Sequence, residues 1–166
     1  MRNKTLINLI PLFSSLLFIM INSTIPPVQG YSFINPSVSI VCLIYWCLRS
    51  EKYQFNLLQV FLLGFLNDCL LGTPLGSSSL LFLLTRIFLS KLQVRLKFNR
   101  FISEIITISL SIIFYFFISY IFIIIYFKVY SNISYYIMSF FLTLLVYPIL
   151  HIIFNRFFIY SKIEDA

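Results

Sequence analysis

The stretch Gly64-Phe65-Leu66-Asn67-Asp68-Cys69-Leu70-Leu71-Gly72-Thr73-Pro74-Leu75-Gly76 decides how this chain folds. Two apolar runs meet here through a turn too short to hold a slack loop. Gly72 can take the left-handed conformation that ends a helix, and Pro74 stops further propagation. Gly76 lets the next helix begin close to its neighbour. Gly64, Asp68 and Gly72 recur at four-residue spacing, which places the acid on a small-residue face suited to close packing. The unit implied is an antiparallel helix pair with a carboxylate inside it.

Outward from this hairpin the same pattern continues along all 166 residues, which are 60% hydrophobic, 19% aromatic and only 10% charged. Mean hydropathy is +0.98. A soluble domain carries about 25% charged residues, so there is too little charge here to solvate a water-facing surface. Six helices are predicted, at about Thr5–Ser23, Ile34–Leu48, Phe55–Leu71, Gly76–Leu92, Phe101–Phe127 and Ile133–Phe154. A hydrocarbon core of about 30 Å takes about 20 residues at about 1.5 Å each. The second, third and fourth runs are short, and Tyr31–Phe33 and Gln93–Leu96 can lengthen them. The expected fold class is all-α, a polytopic helical bundle that forms one integral-membrane domain over residues 1–166. The first run is long for a secretory signal, and no small-x-small cleavage site follows it.

The net charge of +7 does not indicate nucleic acid, because the cations sit at the ends of apolar runs rather than in one patch. With six spans, Arg2, Lys4, Arg49, Lys52, Lys91, Arg95, Lys97, Arg100, Arg156 and Lys162 all fall on one side. Lys128 falls on the other, and Arg86 lies within the fourth span. The positive-inside rule then puts both termini in the cytoplasm. Five spans would break the pattern. The outer connections are expected at Thr24–Phe33, Thr73–Leu75 and Lys128–Asn132.

Two charges lie within the spans. An ion at mid-span costs about 2.5–3.5 kcal/mol on insertion scales. The Leu, Ile and Phe residues from Leu75 to Leu92 return roughly 3–6 kcal/mol, so the fourth span is marginal unless Arg86 finds a partner. Side chains lean toward their own helix N-terminus, which inclines Asp68 and Arg86 toward each other. Two arrangements meet the need: an Asp68–Arg86 pair, or separate partners for each. Arginine does not deprotonate, so the two residues make no proton relay; a buried pair would instead fix helix packing.

Ser103, Thr107, Ser111 and Ser119 form a four-residue ladder on the fifth helix, interrupted by Tyr115. Tyr135, Ser139, Thr143, Tyr147, His151 and Asn155 do the same on the sixth. Small polar residues in lipid spans mark helix–helix contact, and a solute pathway is the competing reading. Cys42, Cys47 and Cys69 lack the paired spacing of a metal site. There is no Ser-His-Asp set, acidic pair, phosphate loop or metal cluster, so neither an enzyme nor a bound cofactor is expected. The structural or interaction motif is Gly64, Asp68, Gly72, Pro74, Gly76 and Arg86, with Ser103, Thr107 and Ser111.

These residues resemble a known family. Pro36 followed by Ile44-Tyr45-Trp46, the Gly64-x-x-x-Asp68-x-x-x-Gly72-x-x-Leu75-Gly76 run, Arg86, the basic loop Lys91–Arg100 and Tyr147-Pro148 are similar to motifs of the MreD rod shape-determining family. The likeness runs from Pro36 to Arg156; Asn67 departs from the leucine common before the aspartate. The resemblance implies a non-enzymatic scaffold in the cell-wall elongation complex, binding an MreC-type partner within the lipid bilayer. It further implies links to an actin-like filament protein, a SEDS-type glycan polymerase and its transpeptidase. It also implies a fold like the substrate-binding subunits of energy-coupling-factor transporters. That likeness supplies an alternative, a vitamin-binding transporter subunit. Such subunits dock through small residues on the first helix, where this chain offers only Ser14 and Ser15. An ion-conducting pore would need more polar rings than Asp68 and Arg86 provide.

Overall fold

The computed structural model describes residues 10–24, 36–48, 55–95, 100–128 and 132–163. Among these there are six helices and no strand: α1 (Ile10–Thr24), α2 (Val38–Leu48), α3 (Leu57–Leu71), α4 (Ser77–Arg95), α5 (Arg100–Phe127) and α6 (Ile133–Ile163). Each expected helix is present. The expectations placed on Thr5–Leu9, on most of the Thr24–Phe33 connection and on Arg2, Lys4, Arg49, Lys52 and Lys97 lie outside the described residues. Two helices extend past their expected ends. Helix α4 takes up Gln93–Arg95, and α6 runs through Arg156 and Lys162, so these cations extend helices rather than sit in loops.

Helix α2 is the axis of the bundle. Every residue from Val38 to Cys47 is buried, because neighbours surround it: α1, α4, α5 and α6 all pack against it. An apolar sequence with no polar stripe, VSIVCLIYWCL, suits a helix with no outward face. The described helix is about 16 Å long, shorter than a hydrocarbon core of about 30 Å. Aromatic rings fasten one of its ends. Tyr45 stacks on Phe154 of α6 at 4.9 Å, Trp46 meets the same ring at 5.9 Å, and Phe18 of α1 approaches it at 4.9 Å. On the opposite flank Phe88 of α4 stacks on Phe114 of α5 at 3.9 Å.

Polarity in this bundle is reversed relative to a water-soluble domain. Asp68, Thr85, Ser111 and Thr143 are fully buried, while Phe13 is 75% and Ile125 72% exposed. Large apolar side chains cover the outside of α1, α3, α5 and α6. A hydrocarbon surrounding accepts such a surface and water does not. Two helical stretches, Ser103–Tyr126 and Ile133–Arg156, are long and apolar enough to cross a membrane. Pro11–Ser23, Val38–Leu48 and Leu57–Leu71 are apolar but shorter.

Helices α3 and α4 approach closely at Gly64. A Cβ there would come 2.6 Å from the Ser79 backbone nitrogen and 2.9 Å from the Ser78 carbonyl carbon, and nearer still to the Ser79 Cα. Helices α3 and α4 therefore touch backbone to backbone. Gly72 and Gly76 have open space where a Cβ would go; their constraint is conformational, with φ of +66° and +94°. The expected close approach thus belongs to Gly64, whereas Gly76 serves by turning the chain.

These two constraints should separate in a stability measurement. Gly64→Ala should lower stability in detergent by about 1–3 kcal/mol, since backbone must shift to admit the methyl group. Gly72→Ala should cost about 1 kcal/mol, the left-handed penalty alone. Equal effects, read from denaturant titration of folded protein, would contradict the contact assigned to Gly64.

Candidate functional site

The polar centre of the molecule is built where α3 ends and α4 begins. Gly72 closes α3 in the left-handed conformation, and its N–H and that of Thr73 both donate to the Asp68 carbonyl. Pro74 and Gly76 complete the reversal. Helix α4 then starts with a glycine at its cap position, since Leu80 N–H bonds the Gly76 carbonyl at 2.9 Å. Glycine has no side chain to satisfy the first amides of the helix, which have no intrahelical acceptor. Asp68 supplies what is missing, from the last turn of the preceding helix.

Four donors converge on its carboxylate. Thr73 Oγ1 and Ser77 Oγ donate to Oδ1 at 2.7 and 2.9 Å. The Gly76 N–H donates to Oδ2 at 2.8 Å, and the Ser78 N–H is shared between both oxygens at 3.0 and 3.1 Å. A carboxylate at a helix N-terminus is further favoured by the helix dipole, up to about 2 kcal/mol where partly buried. Two more bonds seal the interface: Asn67 Nδ2 donates to Ser78 Oγ at 2.9 Å, and Ser79 Oγ to the Phe61 carbonyl at 3.1 Å. Asn67 is therefore part of the interhelical bonding.

The expectation of an Asp68–Arg86 pair is corrected here. The carboxylate is filled by donors from the turn and the first residues of α4, and Arg86 sits about 14 Å further along that helix. Its charge acts instead near Cys47, at the other end of α2. Among the described residues a carboxylate meets a basic side chain elsewhere, where His151 Nε2 lies 3.8 Å from Glu104 Oε1.

The ends of α2 are satisfied in the same fashion. At its start the Ser37 N–H donates to Thr143 Oγ1 of α6 at 3.1 Å, and the Ser37 side chain hydrogen-bonds the Tyr115 phenol. At its finish Gln93 Nε2 of α4 donates to the Cys47 carbonyl at 3.0 Å. Neither cap was anticipated from the sequence, because the partners lie 106 and 46 residues apart.

The ladder on α5 faces inward. Thr107 and Ser111 are buried and return their hydroxyls to the Ser103 and Thr107 carbonyls at 2.7 and 2.6 Å. Their small size lets α5 pack within the bundle. On α6, Ser139 and Thr143 are buried likewise. No group of three His, Cys, Asp or Glu among the described residues is placed to hold a metal.

A family model described as rod shape-determining protein MreD matches residues 3–157. The chain belongs to the MreD family. No curated protein and no solved structure matches it. Family membership and the apolar helices together mark this MreD-family chain as a membrane protein concerned with rod shape, and they do not favour the vitamin-binding alternative.

If Asp68 and Arg86 have separate partners, their losses should add. Asp68→Asn should cost about 1–3 kcal/mol by turning an amide toward groups that donate. Combined with Arg86→Leu, the total should equal the sum of the single changes within about 0.5 kcal/mol. A double variant clearly less damaged than that sum would restore the direct pair.

Proposed function

We propose that this protein is a non-enzymatic scaffold of the bacterial cell-wall elongation complex, seated in the inner membrane by six spans with both termini in the cytoplasm. Membership of a shape-determining family carries the reading. Its interior supports it: the Asp68 carboxylate is spent on capping α4 and joining it to α3, and the Thr107 and Ser111 hydroxyls on carbonyls of their own helix, which leaves rigid geometry rather than a reacting group. On this reading the Gly72–Gly76 turn faces outward and the Lys91–Arg95 end of α4 faces the cytoplasm. The six-helix arrangement would be of the kind found in substrate-binding subunits of energy-coupling-factor transporters.

The partners in this reading are an MreC-type protein held in the bilayer and, through it, an actin-like filament, a SEDS-type glycan polymerase and its transpeptidase. They would meet the apolar outer faces of the bundle rather than the buried Thr107 and Ser111. The faces available on α5 and α6 include Ile106, Ile113 and Phe117, and Phe141, Leu145 and Ile149. A scaffold acts by lowering the freedom of components already in the membrane, so each contact need contribute only modestly once all are tethered.

Two measurements test this. Reporter fusions after Lys97 and after Lys128 should read opposite compartments; the same compartment for both would end the six-span arrangement. Depletion from a rod-shaped host should round the cells while wall precursors remain available, and supplied vitamins should not restore shape. Rods that persist through depletion, with growth dependent on one vitamin, would replace the scaffold with the transporter subunit.

A further inference from the structure

A pocket of about 550 Å³ opens at the turn end of the bundle, walled by α1 through α5. Pockets that take small ligands measure about 300–1,000 Å³ and place a few polar groups among apolar ones. This one has that composition. Leu81, Phe122 and Ile123 supply apolar wall, and hydroxyl and amide side chains enter from all five helices or the segments that join them.

Some of those polar groups are already committed. Thr73 and Ser77 hold Asp68, Ser78 accepts from Asn67, and Ser37 meets Tyr115. Others are not: Asn22, Ser39 and Ser119 line the pocket and their side chains bond no described residue. They come from α1, α2 and α5, so three separate walls present hydrogen-bonding capacity to the same space. Ser39 is only 6% exposed and lines the pocket. Groups of this kind both donate and accept.

Charge narrows the occupant. No Lys, Arg, His, Asp or Glu is among the described lining residues, and nearby Asp68 already holds four donors. An anionic ligand would be desolvated here without a counter-ion, and Asp68 offers a cationic one no free lone pair because its four donors fill the carboxylate. The Tyr115 and Phe122 side chains add apolar surface beside the hydroxyls, so the pocket suits a molecule with both an apolar face and a polar edge.

We propose that this pocket binds a small uncharged molecule rich in hydroxyl groups, of the chemistry of a neutral mono- or disaccharide. The site does not depend on the shape-determining role, so either reading can fail without the other.

The test is saturation-transfer NMR on the full chain in detergent micelles, with glucose, N-acetylglucosamine and maltose as neutral probes. Glucosamine and glucuronate serve as charged counterparts of the same ring. At least one neutral sugar should give signal, about tenfold stronger than the charged rings. Ser119→Phe, which fills the pocket from α5, should abolish that signal while Ser119→Ala reduces it. The thermal transition of each variant shows that the bundle is intact; should Ser119→Phe not fold, Asn22→Leu takes its place on the α1 wall. Silence from every neutral sugar overturns the proposal. So does equal signal from charged and neutral rings, or a signal that persists unchanged in folded Ser119→Phe.

Discussion

A helix whose first turn is buried must find acceptors for its first amide groups, and α4 has a glycine, Gly76, at its cap position. The Asp68 carboxylate meets that need from the neighbouring helix, and much of the local structure follows from its doing so. Asp68 reaches the Gly76 and Ser78 amides only if α3 and α4 lie backbone to backbone. That approach leaves no room for a Cβ at Gly64. The chain must also reverse within a few residues, which places Gly72 and Gly76 at positive φ. Capping, close packing and turn geometry are therefore consequences of one constraint rather than separate features.

The same logic holds the central helix. Helix α2 has no outward face to hydrate and no polar stripe of its own, yet its end groups carry the partial charges of any helix. Thr143 of α6 and Gln93 of α4 satisfy them. In hydrocarbon, apolar burial contributes little between helices, because lipid is as apolar as leucine. Hydrogen bonds at helix ends and dense ring packing around Phe154 are then what distinguish one arrangement of α2 from another. Such a bundle is held from within and leaves its apolar exterior for the bilayer and for other membrane proteins.

This division suits a protein whose family determines shape. The interior fixes geometry, the exterior is apolar, and the hydrogen-bonded residues have structural duties. Arg86 lies toward the Cys47 end of α2, and Asp68 lies at the turn that joins α3 to α4. The two charges serve opposite ends of the bundle.

Much of this was legible in the sequence. The six helices follow from unbroken apolar runs, and the turn from Gly72, Pro74 and Gly76, because those signals are local and each residue's conformational limits travel with it. The small-residue face at Gly64 and Asp68 was legible too, through four-residue periodicity. The role of Asp68 was only half visible. Its burial could be read, and a hint of its task lay in the Gly76-Ser77-Ser78-Ser79 start, a helix opening with no acidic or amide cap of its own. Leaning side chains suggested Arg86 instead, because direction alone says nothing of which donor arrives first. The inward face of Thr107 and Ser111, the pairing of Thr143 with Ser37 and that of Gln93 with Cys47 were decided by tertiary structure alone. Helical periodicity gives the angle of a residue around its own axis but not which neighbour stands at that angle. A cap supplied from 106 residues away exists only once the helices have packed.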